Sequence, residues 1–216
     1  SNDGTFEADA ANDTTRAGYD AFNMVQDSEI HFTGTTTLDN GIALSVAIQL
    51  EGDQVNKAAA SIDASFMKMT GGFGDLRLGS TTGTNSVLKH TAPYVGVSPD
   101  GGGSDAYISV PANVTAANST NAATSGDANK IAYITPRKGG LALGISYTPS
   151  TANLNTAPVT GGNAADQGEV LETALSYETT MGTSSVQADI AAETRSNDTQ
   201  AVRAGVKVAA GGFTVG

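Results

Sequence analysis

Cysteine and tryptophan are missing from this 216-residue chain, and histidine occurs only twice. Without cysteine there is no disulfide framework, no thiol nucleophile and no Cys/His metal cluster. The absence suits a secreted or cell-surface protein that does not rely on disulfides. Positive charge is scarce: 11 Lys and Arg stand against 22 Asp and Glu, a net charge of −11. So acidic a chain offers no basic surface for phosphates, which excludes nucleic acid as a partner. The same charge would favour cations in a channel, or keep an outer surface soluble. No apolar run reaches the roughly 18 residues of a membrane-spanning helix. Ser1-Asn2-Asp3-Gly4 lacks the basic and apolar regions of a secretion signal, so the chain reads as a mature protein or a fragment. No nucleophile elbow or phosphate-binding loop is present, and His31 and His90 lie on different segments, so no enzyme is expected.

What the chain does have is alternation. Ile42, Leu44, Val46, Ile48 and Leu50 interleave with Ala43, Ser45, Ala47, Gln49 and Glu51. One face is aliphatic and the other small or polar, which is the period of a strand. Leu141 to Thr148, Leu171 to Glu178, Val186 to Glu193 and Val202 to Ala209 repeat the pattern. Less regular strands fit near 27–38, 59–69, 75–80 and 129–136, and another begins at 212. No stretch carries a helical period with caps, so the chain is expected to be all-β.

The connections are sorted. Asp39-Asn40-Gly41, Gly71-Gly72-Phe73-Gly74, Arg137-Lys138-Gly139-Gly140, Thr179-Thr180-Met181-Gly182 and Ala210-Gly211-Gly212 are tight. Between them lie longer ones at 52–58, 81–128, 149–168 and 196–199. In an up-and-down sheet every second connection lies on the same rim, and outer-membrane barrels keep short turns on one rim and long loops on the other. Several strands also run about 9–11 residues, the length that a tilted strand needs to cross a bilayer. These features favour an antiparallel up-and-down transmembrane β-barrel over a soluble sandwich or a surface-layer domain.

Two stretches carry a family resemblance. Ala64-Ser65-Phe66-Met67-Lys68-Met69-Thr70-Gly71-Gly72-Phe73-Gly74-Asp75-Leu76-Arg77-Leu78-Gly79 resembles a strand–turn–strand block of the Gram-negative general porins. Asn129-Lys130-Ile131-Ala132-Tyr133-Ile134-Thr135-Pro136, continuing through Gly140-Leu141 to Ser146-Tyr147, is similar to a second hairpin of that family, beyond one very long loop. The resemblance implies a trimeric outer-membrane barrel of about 16 strands, with the long loop folded into the lumen as a constriction. About ten strands are expected here, so 1–216 reads as part of one porin barrel domain, with 1–26 an external loop and 81–128 the constriction loop. Three departures stand out. Ser80 occupies a position where the family often has arginine. The aromatic girdle must rest on residues such as Tyr133, Tyr147 and Tyr177. The strands that would close the barrel are not in this sequence.

The function expected is passive diffusion of small hydrophilic solutes and ions through a water-filled homotrimer in the outer membrane, with the lipid bilayer as surroundings. A layer-forming or adhesive surface protein is the alternative, and a channel with a solute-binding ladder is a third reading. Selectivity would arise from the charges lining the narrow zone. Strand phase turns Glu29, His31, Glu51, Asp63, Asp75, Arg77, Lys130, Glu172, Asp189, Glu193, Arg203 and Lys207 inward. Arg77 and Lys130 are the leading wall residues, because they sit on the strands flanking the long loop. Asp100, Asp105 and Asp127 on that loop would oppose them across the lumen, or else be solvated loop tips. Lys68 is awkward: in phase with Ile62, Ala64 and Phe66 it faces lipid, and it must snorkel to the headgroups unless a bulge shifts the phase. Asp100-Gly101-Gly102-Gly103-Ser104-Asp105 reads as a flexible loop. No cofactor is expected beyond a structural calcium ion on clustered loop carboxylates.

Overall fold

The computed structural model describes residues 28–51, 62–91, 93, 125–151, 168–196 and 198–216. Ten strands pair in chain order into a single antiparallel sheet. They are β1 (Glu29–Thr37), β2 (Ala43–Glu51), β3 (Ile62–Gly71), β4 (Gly74–Ser80), β5 (Asn129–Ile134), β6 (Leu141–Thr148), β7 (Val170–Met181), β8 (Ser184–Arg195), β9 (Gln200–Ala210) and β10 (Phe213–Val215). One short helix, α1 (Thr84–Val87), follows β4. This is the up-and-down meander that the alternation and the turns lead one to expect. The tight connections all fall on one rim. In the first of them Leu38 N donates to the Ile42 carbonyl at 2.8 Å, and Ile42 N donates to Asn40 Oδ1 at 3.1 Å. Gly41 adopts φ of +81°, a left-handed conformation that a Cβ would strain.

The sheet is inverted relative to a soluble protein. Burial alternates strictly along β6 and along β7 up to Tyr177, and apart from Val170 the buried partners are the small and polar ones. Ala142, Ser146, Thr148, Glu172, Ala174 and Ser176 are buried, whereas Leu143, Ile145, Leu171 and Leu175 are exposed. Ile30, Phe32, Val46, Ile48, Ile190, Val202 and Val206 extend the exposed apolar face from β1 to β9. In water such a face would be an aggregation surface. Against hydrocarbon it is the correct one, because the strands pair their backbone polar groups with one another along the ladder. Two tyrosines of the apolar face mark opposite rims. Tyr133 donates its hydroxyl to the Phe73 carbonyl at 2.6 Å on the tight-turn rim, and Tyr147 is 2.9 Å from Glu169 on the other.

The phase of β3 departs from the sequence-based expectation. Gln49 pairs with Ala64, but Leu50 pairs with Ile62, so Asp63 is an extra residue in a β-bulge. The bulge reverses parity. Ile62 lies on the apolar face with Leu50, whereas Ala64, Phe66, Lys68 and Thr70 lie on the inner face, opposite Gln49, Ala47, Ser45 and Ala43. Lys68 therefore faces inward rather than lipid, opposite Arg77 of β4, and snorkelling is not needed. Met67 and Met69 take the outward positions, paired with Val46 and Leu44.

Candidate functional site: the inner wall and the segment seated on it

After Ser80 the chain turns inward, and 81–91 lies on the inner face of the sheet, with α1 packed against β5, β6, β7 and β8. The wall is shaped to receive it. Leu88 rests on Ala142, Ala174 and Ala191 of three successive strands, with Ile134 alongside. Gly144 completes this shallow floor, since a Cβ there would come within 2.8 Å of both Leu88 Cδ1 and Thr84 Cβ.

A carboxylate clasps the segment. Glu172 is fully buried, a costly position for a charge unless donors surround it. It accepts from Asn85 N at 3.4 Å, Ser125 N at 3.0 Å, Ser125 Oγ at 2.8 Å and Ser146 Oγ at 2.9 Å. Gly83 admits the carboxylate, because a Cβ there would sit 1.8 Å from Glu172 Oε2. Asn85 stands near the start of the 81–128 connection and Ser125 near its end, so one side chain gathers both. Lys130 does the same with opposite charge: its buried ammonium donates to the carbonyls of Thr81, Gly126 (2.7 Å) and Ala128 (2.7 Å). Further along, Asn85 Nδ2 donates to the Ala192 carbonyl at 3.2 Å. Arg203 donates to the Asn85 carbonyl at 3.2 Å and pairs with Asp189 at 2.6 Å. Asp189 Oδ1 in turn accepts from His90 N at 2.6 Å.

The residues expected to line a pore divide into two groups. Lys130 and Asp127 belong to the seated region. Asp127 Oδ1 accepts from Thr82 Oγ1 at 3.4 Å, and its main-chain carbonyl accepts from Ser80 Oγ. Burial, reinforced by the nearby Asp63 carboxylate, raises the Asp127 pKa above its ordinary value, against the pull of Lys130 and the Thr82 hydroxyl. Asp75 and Arg77 lie on open wall and form a two-pronged pair, Nε–Oδ1 at 3.0 Å and Nη2–Oδ2 at 3.2 Å, with Lys68 Nζ 3.9 Å from Asp75. His31 contacts Glu29, and Glu29 pairs across the ladder with Glu51. Glu29, Glu51 and Asp63 bring carboxylate oxygens within 4.8 Å of one another at the long-loop end of the open wall. These oxygens have the hard character that Ca2+ prefers, but three carboxylates supply fewer ligands than its usual 6–8. Asp100 and Asp105 lie outside the described residues. Thr84, Asn85, Ser125, Ser146 and Ser176 escaped the sequence reading as site residues, since uncharged polar residues in so Ser- and Thr-rich a chain give no individual signal. Small inner positions such as Ala142, Gly144 and Ala174 were a usable hint, because they leave room for something to lie on the wall.

An apolar outer face, a polar inner face, turns sorted by rim and a segment seated inside define the wall of a pore-type transmembrane β-barrel. The chain belongs to the Gram-negative porin family, which matches residues 3–216. Its location is therefore the bacterial outer membrane. No curated protein matches the chain. Among solved structures it is similar to the anion-selective porin from Comamonas acidovorans, with 18% identity and a TM-score of 0.40 over 84% of this chain. It spans 63% of that porin's length.

Proposed function

We propose that this chain builds the wall and the constriction of a water-filled channel, through which small hydrophilic solutes and ions diffuse passively, and that it works as a homotrimer. The observation that carries this reading is the segment 81–91 seated on the inner face by Glu172, Lys130 and Asp189. A loop packed inside a barrel narrows the lumen and fixes charge beside the path of the solute. The channel does no bond chemistry, and its selectivity follows from radius and field. Cations are preferred, on the strength of the net charge of −11 and of Glu29, Glu51 and Asp63 converging on open wall. Reconstitution of the complete protein in planar bilayers tests the proposal. Discrete conductance steps and a reversal potential of the cation-selective sign are expected in a salt gradient. A bilayer that stays silent would sink the channel reading, and the opposite sign would sink the selectivity.

A further inference from the structure

The two ends of the seated segment are held by chemistry of different kinds. At its start, Glu172 accepts from main-chain amides and hydroxyls, none of which titrates near neutrality. At its end the residue that does the holding is itself titratable. The His90 side chain is only 10% exposed, with Nε2 lying 2.9 Å from Ser176 Oγ and 3.6 Å from Glu178 Oε1. The His90 main-chain N donates to Asp189, and its carbonyl fits against Gly205, where a Cβ would approach to 2.3 Å.

The surrounding charges come from every packed element. Glu178 stands on β7, Asp189 on β8, Arg203 and Lys207 on β9, Arg137 in the β5–β6 connection, and Lys89 just before it in the chain. Arg137 already holds the partners of the ring: its Nη2 is 3.1 Å from Ser176 Oγ and 2.8 Å from Glu178 Oε1. Arg137 fills one lone pair of Ser176 Oγ, and the serine proton can point at the imidazole, whose Nε2 accepts it when that nitrogen is unprotonated. A proton on Nε2 takes that acceptor away. The charged ring must then donate to Ser176 Oγ or Glu178, beside a guanidinium that already donates to both.

We propose that His90 is a proton-operated latch, which seats the end of 81–91 against β7, β8 and β9 when neutral and releases it when protonated. Burial pulls the same way, holding His90 below its ordinary value of 6.5 against the opposing attraction of Asp189 and Glu178. A histidine that resists protonation when seated contributes fully above that value, and the contribution is lost as pH falls below it. A change in conductance would follow only if 81–91 narrows the lumen, as proposed above, so the test reads exposure instead of current.

Leu88 lies buried beneath the segment, and the chain has no native cysteine. In the full protein reconstituted in vesicles, the thiol of Leu88→Cys is labelled with a methanethiosulfonate reagent from pH 8 to pH 5. Rates are normalised to Asp39→Cys on an exposed turn, which corrects for loss of thiolate. The normalised rate should rise several-fold on acidification. Adding His90→Gln, which keeps a partner for Ser176, should flatten the rise. Hydrogen exchange at the His90 amide of the unaltered chain, corrected for intrinsic pH dependence, reads the same release if Leu88→Cys does not insert. A rate indifferent to pH, or one that rises equally with His90→Gln, overturns the latch while leaving the channel reading intact.

Discussion

The inner wall has two halves that share a strand pattern and differ in what lies on them. Along β5 to β9 most inward residues are buried, and the buried charges are bound to the seated segment or to a neighbour: Lys130 to three carbonyls, Glu172 to four donors, Asp189 to Arg203. Along β1 to β3 the same alternation leaves Glu29, His31, Glu51 and Lys68 on the inner face, with no covering segment among the described residues. Inward charge therefore has no fixed meaning in this fold. Under a covering segment it is a fastening, and on bare wall, in the channel proposed above, it is a source of field.

Seven substitutions, six of them in matched pairs, test how far this difference reaches. The outer faces of the two halves should be alike, so Leu143→Arg and Val46→Arg should each destabilise the inserted protein by about 2–4 kcal/mol near the bilayer midplane. Reversible unfolding from vesicles measures both, and a large difference between them would mean that one half does not face lipid. The inner faces should diverge. Glu172→Ala strips the carboxylate from buried donors and should cost about 1.5–3 kcal/mol, whereas Glu51→Ala should stay within about 0.5. Equal costs in the same unfolding assay would erase the distinction between fastening and field. Gly144→Val should drive Thr84 and Leu88 off the wall, at about 1–3 kcal/mol and with a change in single-channel conductance, while Ala47→Val on open wall should change neither measurably. Lys68→Met should leave stability within about 0.5 kcal/mol but move the reversal potential further toward cations. An unmoved potential would place Lys68 away from the path of the ions.

Much of this was legible beforehand, for a physical reason. Strand period and turn chemistry are local, so Ile42 to Leu50, the Asn40-Gly41 turn and the sorting of connections by rim could be read without knowing any partner. The inward phase of Asp75, Arg77, Lys130, Glu172 and Arg203 followed from the same local rule. Lys68 was misplaced because phase is counted along one strand, whereas parity is set by pairing, and only the neighbour β2 shows that Asp63 is unpaired. The clasp was hidden more deeply. Ser125 and Asn85 meet at Glu172 across separations of 47 and 87 residues, and nothing in the local sequence announces such a meeting.

The bulge at Asp63 has a consequence for how such a chain changes length. A membrane wall is read in twos, so the loss or gain of one residue exchanges the lipid-facing and lumen-facing sides of everything up to the next turn. Deleting Asp63 would remove the bulge and leave a smooth strand, with Ile62 still outward and Ala64, Phe66, Lys68 and Thr70 still inward, whereas deleting one residue within 64–70 would turn part of that run to the wrong side. Loops carry no such arithmetic. Among related chains, length differences inside strands should come in even steps or in compensating pairs, and odd ones should gather where the ladder already slips.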